Sequence, residues 1–348
     1  MLQTHQAYLV TDLVQLASSV LQARGVPAAD AELTARSLVQ ADQRGIYSHG
    51  LLRLPLYAEA LRLGGINPNP AMTFSSTRNA VAMLDADGAL GQVAMQAAVR
   101  RVIDAGSELG IAAVAVTNSS HYGAGAFWSD RLAEAGFLSF ITSSTGPVVA
   151  PHGGLEKVLG TNPLTLGAPS AGGWPLTADL ATSNGAYGKV IAARNEGQQL
   201  PEGWAVDSEG NPTTDPEAAA AGSMIPFGSH KGSAVAVLLE AFASSLTDAT
   251  FAYETIDIWS NPASRMNNGH LVVGIDTAAF GGRDHTEARV AALQQRVRQA
   301  GPSGRAVYAP GDPERAREAE AAVSVQLPAS TAEQLRLLAH ELSLPTTV

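Results

Sequence analysis

The sequence predicts an α/β fold, and three observations carry that prediction. The chain has 348 residues, of which 45% are hydrophobic and 16% are charged, a composition typical of a globular protein with one large domain or two smaller ones. Residues 111–117 and 137–142 are continuous apolar stretches, which is typical of buried strands. A helical pattern over residues 124–135 separates them, and strands that alternate with helices indicate α/β architecture.

The N-terminal part of the chain is predicted to be helical. Apolar residues recur at helical spacing over residues 9–21 and again over 33–39, and glycine follows each run. A third helix is predicted over residues 51–63. Residues 65–77 are rich in turn formers, so they are expected to form a connector.

The middle of the chain combines regular and irregular segments. A helix predicted over residues 90–109 precedes the first buried strand. Residues 145–171 are rich in Gly and Pro and show little periodicity. Residues 197–222 are polar, which predicts an excursion on the surface.

Four further elements are predicted towards the C-terminus. Residues 232–245 form a helix of small residues that can pack closely on a sheet, and residues 271–275 form a strand. Residues 286–299 and 331–342 have the pattern of amphipathic helices.

Composition excludes several classes of function. The chain has 22 basic and 32 acidic residues, a formal net charge of −10, so nothing neutralises the phosphates of a nucleic acid. Cysteine is absent, which removes disulfides, thiol catalysis and Cys-ligated metals. The eight histidines are scattered without metal-ligand spacing, so no metal site is expected.

No targeting or membrane segment is recognisable. The N-terminus lacks a basic region and carries Asp12 within its apolar stretch, unlike a secretory signal. The longest apolar run, residues 232–246, is too short to span a bilayer and is broken by Glu240. We therefore expect a cytoplasmic protein with no membrane partner.

The first cluster with chemical potential lies at the start of the third helix. On one helix, His49, Arg53 and Tyr57 share a face at i, i+4 and i+8, although Pro55 predicts a kink or a helix start there. Arginine offers a planar fork of donors to a carboxylate, and histidine transfers protons near neutral pH. Ser48 could orient the imidazole. The alternative is a packing histidine beside a surface arginine.

A second cluster follows the first buried strand, at residues 119–125 (SSHYGAG). A loop of small residues that opens a helix presents free N–H groups to an anion, and the helix dipole adds to the attraction. It lacks the third glycine of G-x-G-x-x-G, so it is not a Rossmann fingerprint. The alternative is an ordinary glycine-rich turn.

Two more clusters complete the set. Residues 160–163 (GTNP) and 179–183 (DLATS) suit a ribose hydroxyl or an amide, or else form two turns. Residues 227–233 (FGSHKGS) set a cation at a helix start without meeting the Walker pattern, and their alternative is a capped helix. No G-x-S-x-G elbow occurs, so Ser48 and His49 are a weak hydrolase pair.

The order of these motifs resembles the malate/L-lactate dehydrogenase family of the non-Rossmann type. The resemblance covers roughly residues 9–344. It implies a family-specific α/β fold with a mixed sheet and a non-Rossmann NAD(P) site, usually in a homodimer. The expected division is a helical N-terminal part with the substrate-site helix (1–75), an α/β cofactor-binding and catalytic domain (76–310), and a C-terminal helical segment that packs back on the N-terminal part (311–348).

The resemblance also implies roles for individual residues. Arg53 and Tyr57 would bind the substrate carboxylate, with Tyr187 and Gly188 close to the substrate. NADPH, or alternatively NADH, would be held by a larger set. That set is His121, Tyr122, Gly123, Ala124, Gly125, Thr161, Asp179, Leu180, Ala181, His230, Lys231 and Arg305.

The resemblance leaves two reactions open. The layout of residues 160–251 is similar to that of the Δ1-piperideine-2-carboxylate/Δ1-pyrroline-2-carboxylate reductases, in which Ser48 and His49 would deliver a proton to the imine nitrogen. This is the expected activity, with an L-amino acid as product. The SHYGAG loop is more similar to that of the 2-hydroxy acid dehydrogenases, in which His121 would be the acid and base. A non-catalytic binding protein is the alternative of another class.

Overall fold

The computed structural model describes residues 6–345 and residue 348. In that part of the chain the α-helices are α1 (Val10–Ala23), α2 (Ala28–Gln43), α3 (Leu54–Leu63), α4 (Gly91–Leu109), α5 (Ala126–Glu134), α6 (Tyr187–Glu196), α7 (Pro216–Ala221), α8 (His230–Ser244), α9 (Arg283–Arg298), α10 (Asp312–Glu320) and α11 (Ala329–Glu341). The strands are β1 (Gln6–Leu9), β2 (Thr73–Arg78), β3 (Val81–Ala89), β4 (Ile111–Ser119), β5 (Phe137–Ser143), β6 (Leu164–Ala168), β7 (Leu176–Leu180), β8 (Ala205–Val206), β9 (Pro212–Thr213), β10 (Ser223–Met224), β11 (Asn268–Asp276) and β12 (Ser324–Leu327).

A seven-stranded sheet forms the centre, in the order β2-β3-β4-β11-β5-β6-β7. β3 and β4 pair in parallel around the crossover helix α4, and the other neighbours pair antiparallel. The predicted α/β class with a mixed sheet is therefore confirmed.

Helices cover both faces of this sheet. A Cβ on Gly106 of α4 would lie 2.5 Å from Phe137, so this end of β5 faces α4. Phe140, three residues further along the same strand, meets Phe242 of α8 edge to face at 6.2 Å. Because side chains alternate along a strand, α4 and α8 lie on opposite faces.

The N- and C-terminal segments share one core. β1 pairs antiparallel with β12, and Leu13, Leu38 and Leu54 are fully buried together with Leu335 of α11. The predicted division at residues 75 and 310 stays a prediction. His5 and residues 346–347 lie outside the described residues.

A smaller lobe has its own core. Val149, Leu159, Val190 and Met224 are buried there, beside the three-stranded sheet β10-β8-β9. Residues 197–222 are mostly exposed or half-buried, in line with the predicted surface excursion, but they also contain the short strands β8 and β9 and the helix α7. Two-residue strands are too short to show a hydrophobic period, so the sequence pattern missed them.

The long periodic elements follow the predictions, and the short strands do not. The helices predicted at 9–21, 33–39, 90–109 and 331–342 are confirmed as α1, α2, α4 and α11. The connector predicted over 65–77 contains the start of β2, and the irregular stretch 145–171 contains β6. None of the described helices is long and apolar enough to cross a membrane.

Candidate active site

The segment that carries the first cluster is not the single helix that the sequence predicts. Two 3₁₀ turns, Tyr47–His49 and Leu51–Arg53, precede α3, and Gly50 between them is extended. The i, i+4, i+8 spacing of His49, Arg53 and Tyr57 on one helix is therefore wrong. Pro55 lies in the first turn of α3, where its missing N–H costs no hydrogen bond.

Asp42 of α2 explains why the chain breaks at Gly50. A Cβ at Gly50 would lie 1.9 Å from Oδ1 of Asp42, so only glycine fits there. The other carboxyl oxygen, Oδ2, accepts a hydrogen bond from the backbone N–H of Leu51 at 2.8 Å. Burial raises the pKa of Asp42 to about 8. A buried carboxyl group thus lies directly beneath the two turns.

The turns nevertheless bring the predicted side chains together with the second cluster. The rings of His49 and His121 lie 5.2 Å apart, and the Tyr57 hydroxyl lies 2.6 Å from Nδ1 of His121. Ser48 Oγ lies 2.9 Å from Nδ1 of His49. The structure therefore places Ser48, His49, Tyr57 and His121 around one site.

The hydrogen bonds of His121 define which nitrogen is available. The backbone N–H of Gly123 donates to Nδ1 at 3.3 Å, so Nδ1 is an acceptor. Gln92 Nε2 donates to the Tyr57 hydroxyl at 3.4 Å, which leaves the Tyr57 proton for Nδ1. On this network neutral His121 carries its proton on Nε2. That nitrogen has no hydrogen-bond partner among the described residues.

Arg53 is a half-buried cation that forms no ion pair with a carboxylate among the described residues. Its Nε donates to the backbone oxygen of Ser48 at 2.8 Å, and its guanidinium carbon lies 4.8 Å from the ring centroid of Trp259. Within the described residues its terminal nitrogens form no hydrogen bond or ion pair. Burial lowers the pKa of Arg53, and the nearby Tyr57 and Asp257 raise it by less.

Arg44 shows what a paired arginine looks like in the same protein. It lies within 2.7 Å of Asp130 and 2.9 Å of Glu318, and these carboxylates raise its pKa in spite of burial. The pKa of Arg53 shifts the opposite way, because burial lowers it by more than Tyr57 and Asp257 raise it. The free fork of Arg53 is therefore suited to an anion from outside the protein.

Both histidines of the site are neutral at physiological pH. Burial and the positive charge of Arg53 lower the pKa of His49 to about 3. The same two causes, in that order, hold the pKa of His121 well below its usual value. An anion bound to Arg53 removes the second cause.

Asp257 and Trp259 are site residues that the sequence analysis missed. Asp257 Oδ1 accepts the backbone N–H of Trp259 at 2.8 Å, and this turn lays the indole against Arg53. Burial raises the pKa of Asp257, while the Trp259 N–H and Arg53 lower it. No spacing or motif marks these residues, because only the folded chain brings them to Arg53.

The predicted residues Tyr187 and Gly188 begin α6. A Cβ at Gly188 would lie 3.3 Å from Cβ of Ser48, so the start of α6 borders the site. Tyr187 packs against the core of the smaller lobe. The site therefore lies between the N-terminal helices and that lobe.

The loop at residues 119–125 packs tightly at the start of α5. A Cβ at Gly125 would lie 2.0 Å from Oγ1 of Thr165, which explains the glycine. Asp179 accepts a hydrogen bond from the backbone N–H of Ala126 at 2.9 Å and another from Thr165 at 2.8 Å. In this state Asp179 caps α5, and its role towards a ribose stays a prediction.

The other residues predicted to bind the cofactor follow β4, precede β6, or lie at the end of β7 and the start of α8. Tyr122 is buried with its ring 4.9 Å from that of His270, and Ala124 is buried. Leu180 is exposed at the end of β7, and Ala181 follows it. Thr161 is fixed through its backbone to Thr145 and Thr182.

The first turn of α8 suits the phosphates of a dinucleotide. No side chain caps this helix, although the backbone N–H of Lys231 donates to the backbone oxygen of Gly228 at 3.3 Å, and the start of a helix attracts an anion. His230 and Lys231 are exposed there, and the ring of His152 lies 6.1 Å from that of His230. Arg305 lies in an exposed loop, and no described contact joins it to this turn. Among the described residues no metal-ligand cluster occurs.

The sequence profile of the family described as malate/L-lactate dehydrogenase matches residues 9–336. The chain belongs to the malate/L-lactate dehydrogenase family. Three relatives illustrate its range. The (2R)-3-sulfolactate dehydrogenase (NADP(+)) of Chromohalobacter salexigens is 37% identical over 93% of this chain and 95% of its own length. The ureidoglycolate dehydrogenase (NAD(+)) of Escherichia coli K12 is 33% identical over 89% of both chains.

The third relative represents the imine reductases. The Δ1-pyrroline-2-carboxylate/Δ1-piperideine-2-carboxylate reductase of Pseudomonas putida is 35% identical over 76% of this chain and 78% of its own length. Among solved structures, the sulfolactate dehydrogenase of Methanocaldococcus jannaschii superposes with a TM-score of 0.90 at 31% identity, covering 97% of this chain and 98% of that one. This member of the family is an NAD(P)-dependent oxidoreductase, as predicted, and uses a nicotinamide cofactor.

Proposed function

We propose that the protein is an NAD(P)-dependent dehydrogenase of a small 2-hydroxy acid, which it interconverts with the 2-oxo acid. The observation that carries the proposal is the half-buried guanidinium of Arg53, held by Ser48 and Trp259 beside the His121–Tyr57 pair. The relatives support the same reaction, since sulfolactate and ureidoglycolate are 2-hydroxy acids. The expected main activity, cyclic imine reduction, becomes the second candidate.

Arg53 binds the substrate carboxylate in this proposal. Its Nε and its flat face are fixed by Ser48 and Trp259, so the two terminal nitrogens are oriented before substrate arrives. A bidentate, charge-assisted pair of this kind orients the adjacent C2 as well as binding the acid. The nicotinamide, when bound, exchanges the hydride with C2.

His121 handles the proton at the C2 oxygen. Its Nδ1 is held by Tyr57 at 2.6 Å, which directs the other nitrogen, Nε2, away from the protein. A positioned imidazole of this kind accelerates proton transfer by about 10²- to 10⁴-fold.

Substrate binding prepares His121 for this task. Arg53 is one cause of its lowered pKa, and the substrate carboxylate cancels that charge. The imidazole therefore takes up a second proton, at Nδ1, more readily when substrate is present. The imidazolium then gives its Nε2 proton to the C2 oxygen in reduction, and the neutral Nδ1–H form takes that proton back in oxidation.

Reduction of a cyclic imino acid is the second candidate function. The 2.9 Å contact of Ser48 with His49 favours it, because this pair supplies a second oriented imidazole, 5.2 Å from the first. The imine-reductase relative supports it as well. The two candidates differ in which histidine delivers the proton.

Steady-state assays distinguish the two candidates. We expect reduced-nicotinamide absorbance to fall with a 2-oxo acid such as 2-oxobutyrate, and His121→Gln to lower kcat for it by about 10²-fold or more. His49→Gln and the exposed His340→Gln serve as matched variants and retain most of the activity. Consumption of Δ1-piperideine-2-carboxylate alone, lost in His49→Gln, would instead establish the imine reductase.

We also propose NADPH as the preferred cofactor. A relative at 37% identity is named for NADP(+), and Lys231 offers positive charge in the first turn of α8. Lys231→Gln is expected to raise KM for NADPH more than KM for NADH. Equal effects on both cofactors would contradict this assignment.

We further propose that the active unit is a homodimer. Val237, Leu238 and Phe242 of α8 are exposed, although Phe242 also meets Phe140 of the sheet and Leu239 and Ala243 of the same helix are buried. A helix that is apolar all round is normally buried, so a second protein surface is expected here. Light scattering of Phe242→Glu tests it: the wild type is expected to be a dimer and the variant a monomer.

A further inference from the structure

We infer that Asp257 determines substrate specificity by charge, so that the site prefers acids with one negative charge over dianions. The inference rests on the proposed function, because it concerns the acid bound at Arg53. Asp257 lies in the same turn as Trp259, whose ring lies against Arg53. It is therefore the carboxylate that a second negative charge on the substrate would meet.

The carboxylate of Asp257 is held in place from two sides. Trp259 N–H donates to Oδ1 at 2.8 Å, and the backbone of Gly146 lies against Oδ2, since a Cβ there would lie 2.9 Å from it. The carboxylate nevertheless lies beyond ion-pair distance of Arg53, so it leaves the guanidinium fork free. It adds negative potential without occupying the carboxylate site.

The charged groups around Arg53 and Asp257 decide which acids bind well. In the part of the chain that the structure describes, no other lysine or arginine forms a hydrogen bond or ion pair with His49, Arg53, Tyr57 or His121. One substrate carboxylate is matched by Arg53. A second one meets the like charge of Asp257, and like charges in a desolvated site repel.

This geometry separates two groups of acids that the family's members are named for. Malate and sulfolactate are dianions, whereas ureidoglycolate and lactate carry one charge. At an effective dielectric constant of about 20, two carboxylates in the same site repel enough to change affinity by about 10- to 100-fold. We therefore expect this protein to favour acids of the second group.

The direct test compares two inhibitors that differ by one charge. Oxamate and oxalate have the same number of non-hydrogen atoms, but only oxalate is a dianion at neutral pH. Calorimetric titration of the NADPH-bound enzyme gives the ratio of their dissociation constants. In Asp257→Asn, an isosteric change that keeps an oxygen for Trp259 N–H, this ratio should move towards oxalate by about 10- to 100-fold. Asp257→Ser provides the same test if the asparagine variant folds poorly.

The control is the exposed Asp248→Asn, which changes the net charge by the same amount. An unchanged ratio in Asp257→Asn, or an equal change in Asp248→Asn, would overturn the inference. Reduction of 2-oxobutyrate and oxaloacetate, which differ by one terminal carboxylate, is measured in parallel. If neither is reduced the proposed function fails, while the binding ratio still decides the role of Asp257.

Discussion

Replacement of Asp42 by asparagine should make the protein less sensitive to alkaline pH. Burial raises the pKa of this carboxyl group from 3.8 to about 8. Below pH 4 both the folded and the unfolded chain hold the proton. Between the two values the folded chain keeps a proton that the unfolded chain releases, so the stabilising contribution is lost as pH rises towards 8.

The size of the effect follows from that shift. Each pH unit within this window costs the wild type about 1.4 kcal/mol of unfolding free energy. The amide introduced by Asp42→Asn has no charge to bury, and its oxygen can still accept the Leu51 N–H that the carboxyl group binds at 2.8 Å. The stability of Asp42→Asn relative to wild type should therefore rise by about 4 kcal/mol between pH 5 and pH 8.

Denaturant unfolding at several pH values and one protein concentration measures this difference. Trp128 is fully buried and reports unfolding by fluorescence. Asp104→Asn, an exposed change on α4, is the matched control and should follow the wild type at every pH. Parallel curves for wild type and Asp42→Asn would refute the reasoning, because they would show that Asp42 is equally charged in both states.

Two further changes test the packing around the site. Arg44→Met leaves Asp130 with Arg315 as its remaining cation and should cost about 1.5–3 kcal/mol in unfolding free energy, whereas the exposed Arg36→Met should cost less than about 1 kcal/mol. Equal losses would contradict the buried ion pair. Gly125→Ala should lower Tm and raise KM for the cofactor, because the new Cβ overlaps Thr165. Adding Thr165→Ala should restore part of the Tm and part of the KM. An unchanged KM in Gly125→Ala would show that this loop does not approach the cofactor.

The sequence predicts the long helices and central strands well because each shows its full hydrophobic period. α4 has 19 residues and β4 has 9, which is long enough for the pattern to be unambiguous. β6 and β7 have five residues each, and their partly exposed side chains carry no clear alternation. The break at Gly50 was also invisible, because its cause is a clash with Asp42 that exists only in the folded chain.

The candidate site divides in the same way. Ser48, His49, Arg53 and His121 stand out in the sequence because their side chains bear chemistry at close spacing, and the fold brings them together. Asp257 and Trp259 are separated from them by more than 130 residues of chain, so no local pattern connects them to Arg53. The side chains proposed to bind substrate or transfer a proton were therefore predictable from the sequence, whereas the residues that surround Arg53 were not.

Arg44 and Arg53 lie nine positions apart and are chemically identical, yet the fold surrounds them with different partners. Distant segments supply Asp130 and Glu318 to Arg44, which neutralise its charge within the protein. Arg53 receives an indole face and a backbone oxygen instead. Burial of an unpaired cation destabilises the free protein, and an anion that binds there recovers this free energy. Substrate acids should therefore stabilise the fold as well as orient C2, and the same event relieves the charge that keeps His49 and His121 neutral.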